Sequence, residues 1–320
     1  MKIKDKIVFV YMNPHYLHSD WAKSVNAKFI CYSGERETNL IKGQIKALKT
    51  ELPTADVYIA ENIRCMLPII RKILSRRSRV LVFCINSDTL FYDYPKYNWV
   101  TKKIMDFYIE FVDCFISSSE YVKTLALKYT NIPHIVVYPY VDYKKWCKIK
   151  VNLDSPDIAY IGNICRFRGQ DLLLEAMKGE KMNIKLIGRE AEELNYIPSN
   201  VSVTKVRVEN PEDYLKSVGN YINSSRHDSF GINVLESMAA GIPPIVSTNV
   251  GAKEILPDKC LISDLTPEDI RKKYDDLNKK KKRKKKRKLG KMCQKIAKGF
   301  TKKRSIDSFK NGLREYGVEC

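Results

Sequence analysis

The chain has 320 residues, 44% hydrophobic and 29% charged, which is enough length and apolar content for two buried cores and excludes a wholly disordered chain. Its formal net charge is +20. Ten of those charges form one run, Lys279 to Lys288, and the remainder is also basic, so anionic partners such as phosphates, nucleic acid or lipid surfaces are favoured.

The nine cysteines are odd in number and none pair at C-x-x-C spacing, and none of the four histidines stands at zinc-ligand spacing from a cysteine. Cys84 ends the apolar run Val80 to Cys84 and reads as a small core residue. A reducing compartment without a structural metal is expected.

Met1 to Val10 is charged and then strand-like, with an apolar run too short for a signal peptide, and no window approaches the length of a spanning helix. A cytoplasmic chain is expected, with attachment to the inner face of a membrane left open.

In chain order, short apolar runs at 7–10, 57–60, 80–85, 114–116 and 135–137 form one series of expected strands. Runs at 158–161, 184–187, 201–203, 221–222 and 244–246 form a second. Helix-length segments lie between them, including 62–74, 120–129 and 171–177. Continuous apolar strands alternating with helices predict parallel sheets covered on both faces, here twice over.

The polar stretch from Asp142 to Pro156 separates the two series. Domains at 1–148 and 149–300 follow, with a helical tail at 301–320, and the ligand cleft is expected between the domains. Thr266, Pro267 and Asp269 form a helix start, followed by Ile270, Tyr274 and Leu277 at helical spacing.

The stretch Ser225 to Glu254 carries the chemistry. Asp228 and Glu236 are acids on either side of Phe230 and Gly231, which open a helix expected to reach Ala240, with Gly241 as its left-handed stop. A helix start offers free N–H groups and partial positive charge to a diphosphate. Glu236 would lie about two turns in, where an ionised carboxylate suits the vicinal hydroxyls of a ribose.

These residues resemble the Glu-x7-Glu signature of glycosyltransferase family 4. The resemblance also includes Val250 to Glu254, the strand and turn Ile158 to Gly162, the segment Arg168 to Leu173, the strand Lys185 to Gly188, the linking element Val137 to Asp142 with Trp146, and Asp113 to Ser119. It covers roughly Asp113 to Glu254 and is weak before Asp56.

The resemblance implies an α/β GT-B fold, two doubly wound Rossmann-like domains facing across a cleft. It implies a retaining, metal-independent, hexosyltransferase-like enzyme that needs no cofactor and uses a nucleoside-diphosphate sugar as donor. Asp228 would contact the transferred sugar and Glu236 the ribose. Phe230, Gly231, Ile232 and Asn233 would meet the sugar and phosphates. Gly162, Asn163, Arg166, Arg168 and Gly188 would complete the donor site.

The chain departs from the family at several points. Asp228 stands where the family has Glu, Asn163 where it usually has Arg, and Arg168 where it has Lys. Arg168 keeps the charge and adds a fork suited to phosphate, and Arg166 is a candidate second charge. Met12 to His15 replaces the family's N-terminal glycine loop, and Asn86 to Asp88 replaces a segment that carries His in many members. A catalytically impaired nucleotide-sugar-binding protein is therefore the alternative reading.

Plainer readings stand beside these. Asp228 is a possible helix cap, Glu236 a solvent-facing helix residue, Arg168 a surface charge and Gly162 a tight strand end. His15, His18, His134 and His227 have no partner in sequence and read as structural or exposed. The aromatic and basic stretch Phe91 to Tyr108 reads either as an interfacial membrane contact or as a loop packed on the first core. Lys279 to Lys288 reads as a solvated face or disordered insert, as a contact for anionic lipid, or last as a nucleic-acid site, for which no recognisable module is present.

Overall fold

The structure is a computed structural model. It describes residues 6–12, 15–32, 40–75, 79–87, 89–194, 196–206 and 208–320. Met1 to Asp5 and, from the replaced segments, Asn13, Pro14 and Asp88 lie outside the described residues.

Two compact units are present: residues 1–139 with 303–320, and residues 140–302. The sequence placed the boundary at 148/149 and set 301–320 apart as a tail. In the structure the division falls after Pro139, and 303–320 joins the first unit. The reason is packing: Phe309 and Leu313 of the Lys302–Glu315 helix, with Val318 beyond it, are buried in one core cluster with Trp21, Ile116 and Ile135. The rings of Trp21 and Phe309 stack at 5.7 Å, and Trp21 Nε1 donates to Ser305 Oγ at 3.0 Å.

The first unit has strands β1 (Ile7–Tyr11), β2 (Lys28–Cys31), β3 (Val57–Ala60), β4 (Leu81–Asn86), β5 (Cys114–Ser117) and β6 (His134–Val136). All are parallel, in the order β2-β1-β3-β4-β5-β6. β3 and β5 are buried throughout, as their continuous apolar runs require. β2 lies at the edge and is only partly buried.

The second unit has β7 (Ile158–Ile161), β8 (Ile184–Ile187), β9 (Val201–Val203), β10 (Asn220–Asn223), β11 (Pro244–Ser247) and β12 (Leu261–Ile262). They form a parallel sheet in the order β12-β11-β10-β7-β8-β9. Its core holds Tyr160, Leu173, Ile184, Ile222, Ile245 and Ile270.

The helix start at Thr266 forms as its residues dictate. Thr266 Oγ1 accepts from the Asp269 N–H at 3.2 Å, and Pro267 opens the Pro267–Asn278 helix. The basic run that follows does not form a disordered insert. Most of it lies in the Arg283–Ala297 helix, whose Leu289, Cys293 and Ala297 are buried.

Within that run Lys286 is only 3% exposed. Its Nζ donates to Asn220 Oδ1 at 2.9 Å and to Asn278 Oδ1 at 2.8 Å. Burial pulls its pKa down to about 8, against a raising influence from Asp154. Most of the other basic side chains of the run face solvent.

Candidate functional site

In the second sheet the chain passes from β7 outward to β8 and β9, then crosses to β10 on the other side of β7. Such a reversal leaves a crevice outside the carboxyl ends of the two central strands, the usual ligand position in open α/β sheets. Here those ends carry Gly162 and Asn163 after β7 and Ser224 to Asp228 after β10.

Two loops are clasped together at this point. Arg166 to Arg168 form a short turn that ends on left-handed Gly169, φ 69°. A Cβ at Gly169 would stand 1.9 Å from the Ser224 carbonyl oxygen, so only glycine permits this approach. The Ser224 hydroxyl donates to the Gly169 carbonyl at 2.7 Å, and the Arg226 N–H donates to the Phe167 carbonyl at 2.8 Å. Arg226 also forks onto Asp171 with two bonds of 2.7 Å.

The clasp presents Arg168 to Asp228, and the two form an ion pair. Burial is the largest single influence and works against the Arg168 charge, but Asp228 together with Tyr160, Cys165 and Tyr221 outweighs it, and the pKa is raised. Arg168 Nε is buried without a hydrogen-bond partner among the described residues. Asp228 is itself locked by main chain: its N–H donates to the Asn249 carbonyl at 3.1 Å and its carbonyl accepts from the Gly251 N–H at 3.0 Å.

Asp228 does not cap the helix that follows. That helix spans Ile232–Ala239, begins slightly later than the sequence suggested, and has Gly231 at its cap with no side-chain bond to its N–H groups. Gly231 has φ 83°, and a Cβ there would lie 2.9 Å from Val250 Cγ1. The start of the helix is tied to the end of β7, because Asn233 Nδ2 donates to the Ile161 carbonyl. Ile232 and Asn233 are half-buried, whereas Phe230 is core, its ring 6.4 Å from that of Phe300.

Glu236 is half-buried on this helix. Burial pushes its carboxyl up to about 7, with Lys145 lowering it and Glu212 raising it. Lys145 Nζ and Glu212 Oε1 pair at 2.9 Å. The Tyr221 hydroxyl is buried with no partner among the described residues. Its pKa is raised, first by burial and then by Tyr160, Glu236 and Asp228. Lys145, Glu212, Tyr221 and Arg226 were not singled out from the sequence. Arg226 lies inside the recognised stretch and Lys145 inside the linking element, so position in the motif was the available signal.

The other expected donor residues are placed less tightly. Gly162 has φ 145° and lies against Asn233, where a Cβ would be 3.3 Å from Asn233 Nδ2. Gly188, φ 153°, allows the ends of β7 and β8 to close up, since a Cβ there would lie 2.0 Å from the Gly162 carbonyl oxygen. Asn163 is exposed and its carbonyl accepts from Gln170 Nε2 at 2.9 Å. Arg166 is exposed and lines a recess of about 520 Å³ with Cys165, Asp171, Glu192, Glu193 and Tyr196. Arg168, Asp228 and Glu236 do not line that recess.

The aromatic stretch in the first unit divides in two. Phe91 is buried against Phe115, and Tyr94 and Tyr97 pack on the same core. The Trp99–Ile109 helix instead exposes Trp99, Val100, Ile104 and Phe107. No helix of the described residues is long and apolar enough to cross a membrane.

Residues 155–279 match the family model described as glycosyl transferases group 1. The O-antigen biosynthesis glycosyltransferase WclY of Escherichia coli is 23% identical over 133 residues, and the match spans only 38% of either chain. Among solved structures, Anabaena Alr3699/HepE in complex with UDP-glucose matches with TM-score 0.74 at 13% identity, covering 97% of this chain and 100% of that one. Sucrose-phosphate synthase from Thermosynechococcus elongatus matches with TM-score 0.77 at 11% identity, covering 98% and 99%. The chain therefore has the GT-B fold and resembles the group 1 glycosyltransferases, with the family match lying in its second unit.

Proposed function

We propose that the chain is a nucleotide-sugar glycosyltransferase that moves a sugar, with retention and without a metal, from a nucleoside-diphosphate sugar to an acceptor hydroxyl. The observation that carries this reading is the Arg168–Asp228 pair beside the uncapped start of the Ile232–Ala239 helix, at the switch point of the second sheet.

The helix start offers main-chain N–H groups to the diphosphate, and Arg168 has a donor to spare in its unpartnered Nε. Together they stabilise charge on the departing diphosphate, the work a metal ion does elsewhere. Glu236, once ionised, accepts the two ribose hydroxyls. Asp228 faces the sugar and holds Arg168 in place. A second reading, a nucleotide-sugar-binding protein of impaired activity, is favoured by the commitment of the short Asp228 side chain to Arg168.

Alr3699/HepE holds UDP-glucose in its solved structure, so UDP-glucose is the first donor to test here. The experiment is a thermal-shift panel of nucleoside diphosphates and their sugars, followed by assay of donor hydrolysis. A ligand that binds only the folded state raises apparent stability. Stabilisation by one nucleotide series with turnover supports the transferase; stabilisation without turnover supports the second reading; no stabilisation rejects both.

We also propose that the exposed apolar residues of the Trp99–Ile109 helix rest on an anionic membrane surface. Trp99 is 75% exposed and Phe107 45%, and Lys96, Lys102 and Lys103 lie on or beside the same helix. The solvent-facing lysines of the Arg283–Ala297 helix offer a further basic surface. Sedimentation with phosphatidylglycerol vesicles, lost in Trp99→Ser/Phe107→Ser and absent with neutral vesicles, is the expected result.

A further inference from the structure

Gly290 lies in the interior of the Arg283–Ala297 helix, where glycine is a poor helix former. A Cβ there would stand 2.3 Å from the Gly241 carbonyl oxygen, so glycine lets this helix lie directly on the end of the Ile232–Ala239 helix. Gln294, one turn further on, fixes the same contact: its Nε2 donates to the Ala239 carbonyl at 3.1 Å.

Beside this contact the segment that precedes β7 leaves a recess of about 380 Å³. Val151, Leu153 and Ala240 supply apolar wall, and the charged residues that line it are Asp154, Arg287 and Lys291. Arg168, Asp228 and Glu236 do not line it.

Arg287 and Lys291 are four residues apart and so share one face of their helix. Arg287 Nη2 donates to Asp154 Oδ2 at 2.6 Å, and Arg283 Nε lies 3.7 Å from Asp154 Oδ1. The side chains of the Arg287–Asp154 pair are 59% and 37% exposed, and a pair so open to water contributes little by itself. Asp154 therefore orients the guanidinium without occupying all its N–H groups. Lys291 is exposed and forms no ion pair among the described residues. Along the chain no acidic residue lies between Asp276 and Asp307, so the helix brings no carboxylate of its own to compete.

The end of a helix is a negative pole, which opposes an anion. Here its last carbonyls are already served. Ser237 accepts the Ile242 N–H at 3.0 Å and Met238 the Gly241 N–H at 2.9 Å. Ala239 accepts from Gln294, and the Gly241 carbonyl is covered by Gly290.

The charges then decide what the recess receives. Arg283, Arg287 and Lys291 stand against the single carboxylate of Asp154, which leaves two positive charges. A carboxylate ligand would neutralise one of them, whereas a phosphate monoester carries about −1.5 to −2 at pH 7. The arginine fork suits phosphate oxygens, and the apolar wall suits a short carbon skeleton.

We propose that this recess is a second anion site of the second unit, separate from the donor site, in which Arg287 and Lys291 bind a phosphate monoester. The site goes beyond the transferase reading and stands or falls independently of it. A small phosphorylated polyol carries the required group, and so does the headgroup of phosphatidic acid.

The test uses the full chain. Calorimetry with glycerol 3-phosphate, and with glycerate as its carboxylate counterpart, is run in the presence of UDP at about 0.15 M ionic strength, where diffuse attraction is screened. Sedimentation with phosphatidylcholine vesicles containing phosphatidic acid covers the lipid source. Arg287→Gln and Lys291→Gln are compared with the double variant Lys284→Gln/Lys288→Gln, which removes charge from the same helix without touching the recess. Expected is binding of one phosphate probe, weakened about fivefold or more by Arg287→Gln and by Lys291→Gln and little changed by the double variant. Glycerate should bind the intact protein at least about fivefold more weakly than glycerol 3-phosphate where the soluble ester is the ligand.

Dependence of glycerol 3-phosphate binding on Arg287 and Lys291 identifies a soluble ester, and dependence of vesicle retention on them identifies the lipid headgroup. The proposal is overturned if neither probe depends on these two residues, if the double variant loses as much as they do, or if glycerate binds as tightly as glycerol 3-phosphate. Arg287 and Lys291 are exposed, so their variants keep the fold and remain decisive. A missing UDP response in the intact protein would reject the donor reading and leave this site standing.

Discussion

The guanidinium of Arg168 is paired with the carboxylate of Asp228 across two loops that glycine and serine hold together. The pair makes Asp228 the neutralising partner of the cation expected to meet the diphosphate. Asp228→Asn should therefore leave UDP affinity within about threefold of the native value, or improve it, because Arg168 gains freedom to bind phosphate. Transfer should fall by about a hundredfold or more, as expected when an electrostatic group at the reacting centre is removed. Arg168→Met should weaken UDP binding itself. Calorimetry with UDP and a steady-state transfer assay separate the two outcomes.

Glu236 gives a pH prediction with a definite sign. Its carboxyl titrates near 7 in the folded chain, against an ordinary value of 4.5. Only the ionised form accepts both ribose hydroxyls, so nucleoside affinity should rise from pH 6 to pH 8, by up to about tenfold per unit below the pKa. Uridine is the better probe, because a terminal phosphate itself titrates near 6. Glu236→Gln should bind more weakly and show a flat profile. A native profile without slope would remove Glu236 from the ribose site.

The same shift has an opposite effect on stability. Between pH 4.5 and 7 the folded chain holds a proton on Glu236 that the unfolded chain has released. Stability contributed by this group therefore falls as pH rises through that window. In Glu236→Gln that decline should be absent, as read by urea unfolding at a series of pH values.

Lys286 predicts a rise at alkaline pH. Its folded pKa of about 8 lies below the ordinary lysine value of 10.5. The unfolded chain binds more protons between those limits, so stability should increase from pH 8 to 10.5, by at most about 1.4 kcal/mol per unit. Lys286→Met should lose this gain. It should also leave Asn220 Oδ1 with only its bond from Asn278 Nδ2. Parallel unfolding of both proteins at pH 7 and pH 10 checks the sign.

Gly169→Ala should be among the most damaging small changes in the second unit. The backbone conformation alone costs about 1–3 kcal/mol for a residue with a side chain, and the new Cβ would also meet the Ser224 carbonyl. Gly179→Ala is the control, because Gly179 has φ 79° but open space around it. A loss of UDP binding in Gly169→Ala and not in Gly179→Ala would tie the clasp to the donor site.

Much of this fold is legible in the sequence because parallel strands buried on both faces must be continuously apolar. The runs at 57–60, 114–116 and 158–161 are such strands, and each is buried throughout. Lys28–Cys31 escaped notice because an edge strand buries little, and here both ends are exposed. The lysine-rich segment after Asn278 reads as solvated because composition does not show that one lysine faces inward onto Asn220.

Asp228 and Glu236, the acids expected on the donor side, were visible through their local spacing around one helix. The pairing of His18 Nδ1 with Glu61 Oε1 at 3.5 Å in the first unit was not, since the two meet only when β1 and β3 become neighbours in the sheet. Residues 301–320 were likewise expected as a helical tail, with nothing local to show which core it joins.

That last placement sets the order in which the chain can be finished. During synthesis the first unit's strands emerge early, yet Ser305, Phe309 and Leu313 appear only after the whole of the second unit has been made. Until then Trp21 lacks its stacking partner and its indole N–H lacks the Ser305 hydroxyl. The second unit is continuous in sequence and waits for no later segment of the chain. The first unit is therefore begun before the second and completed after it, with an apolar face left uncovered for as long as residues 140–302 take to translate.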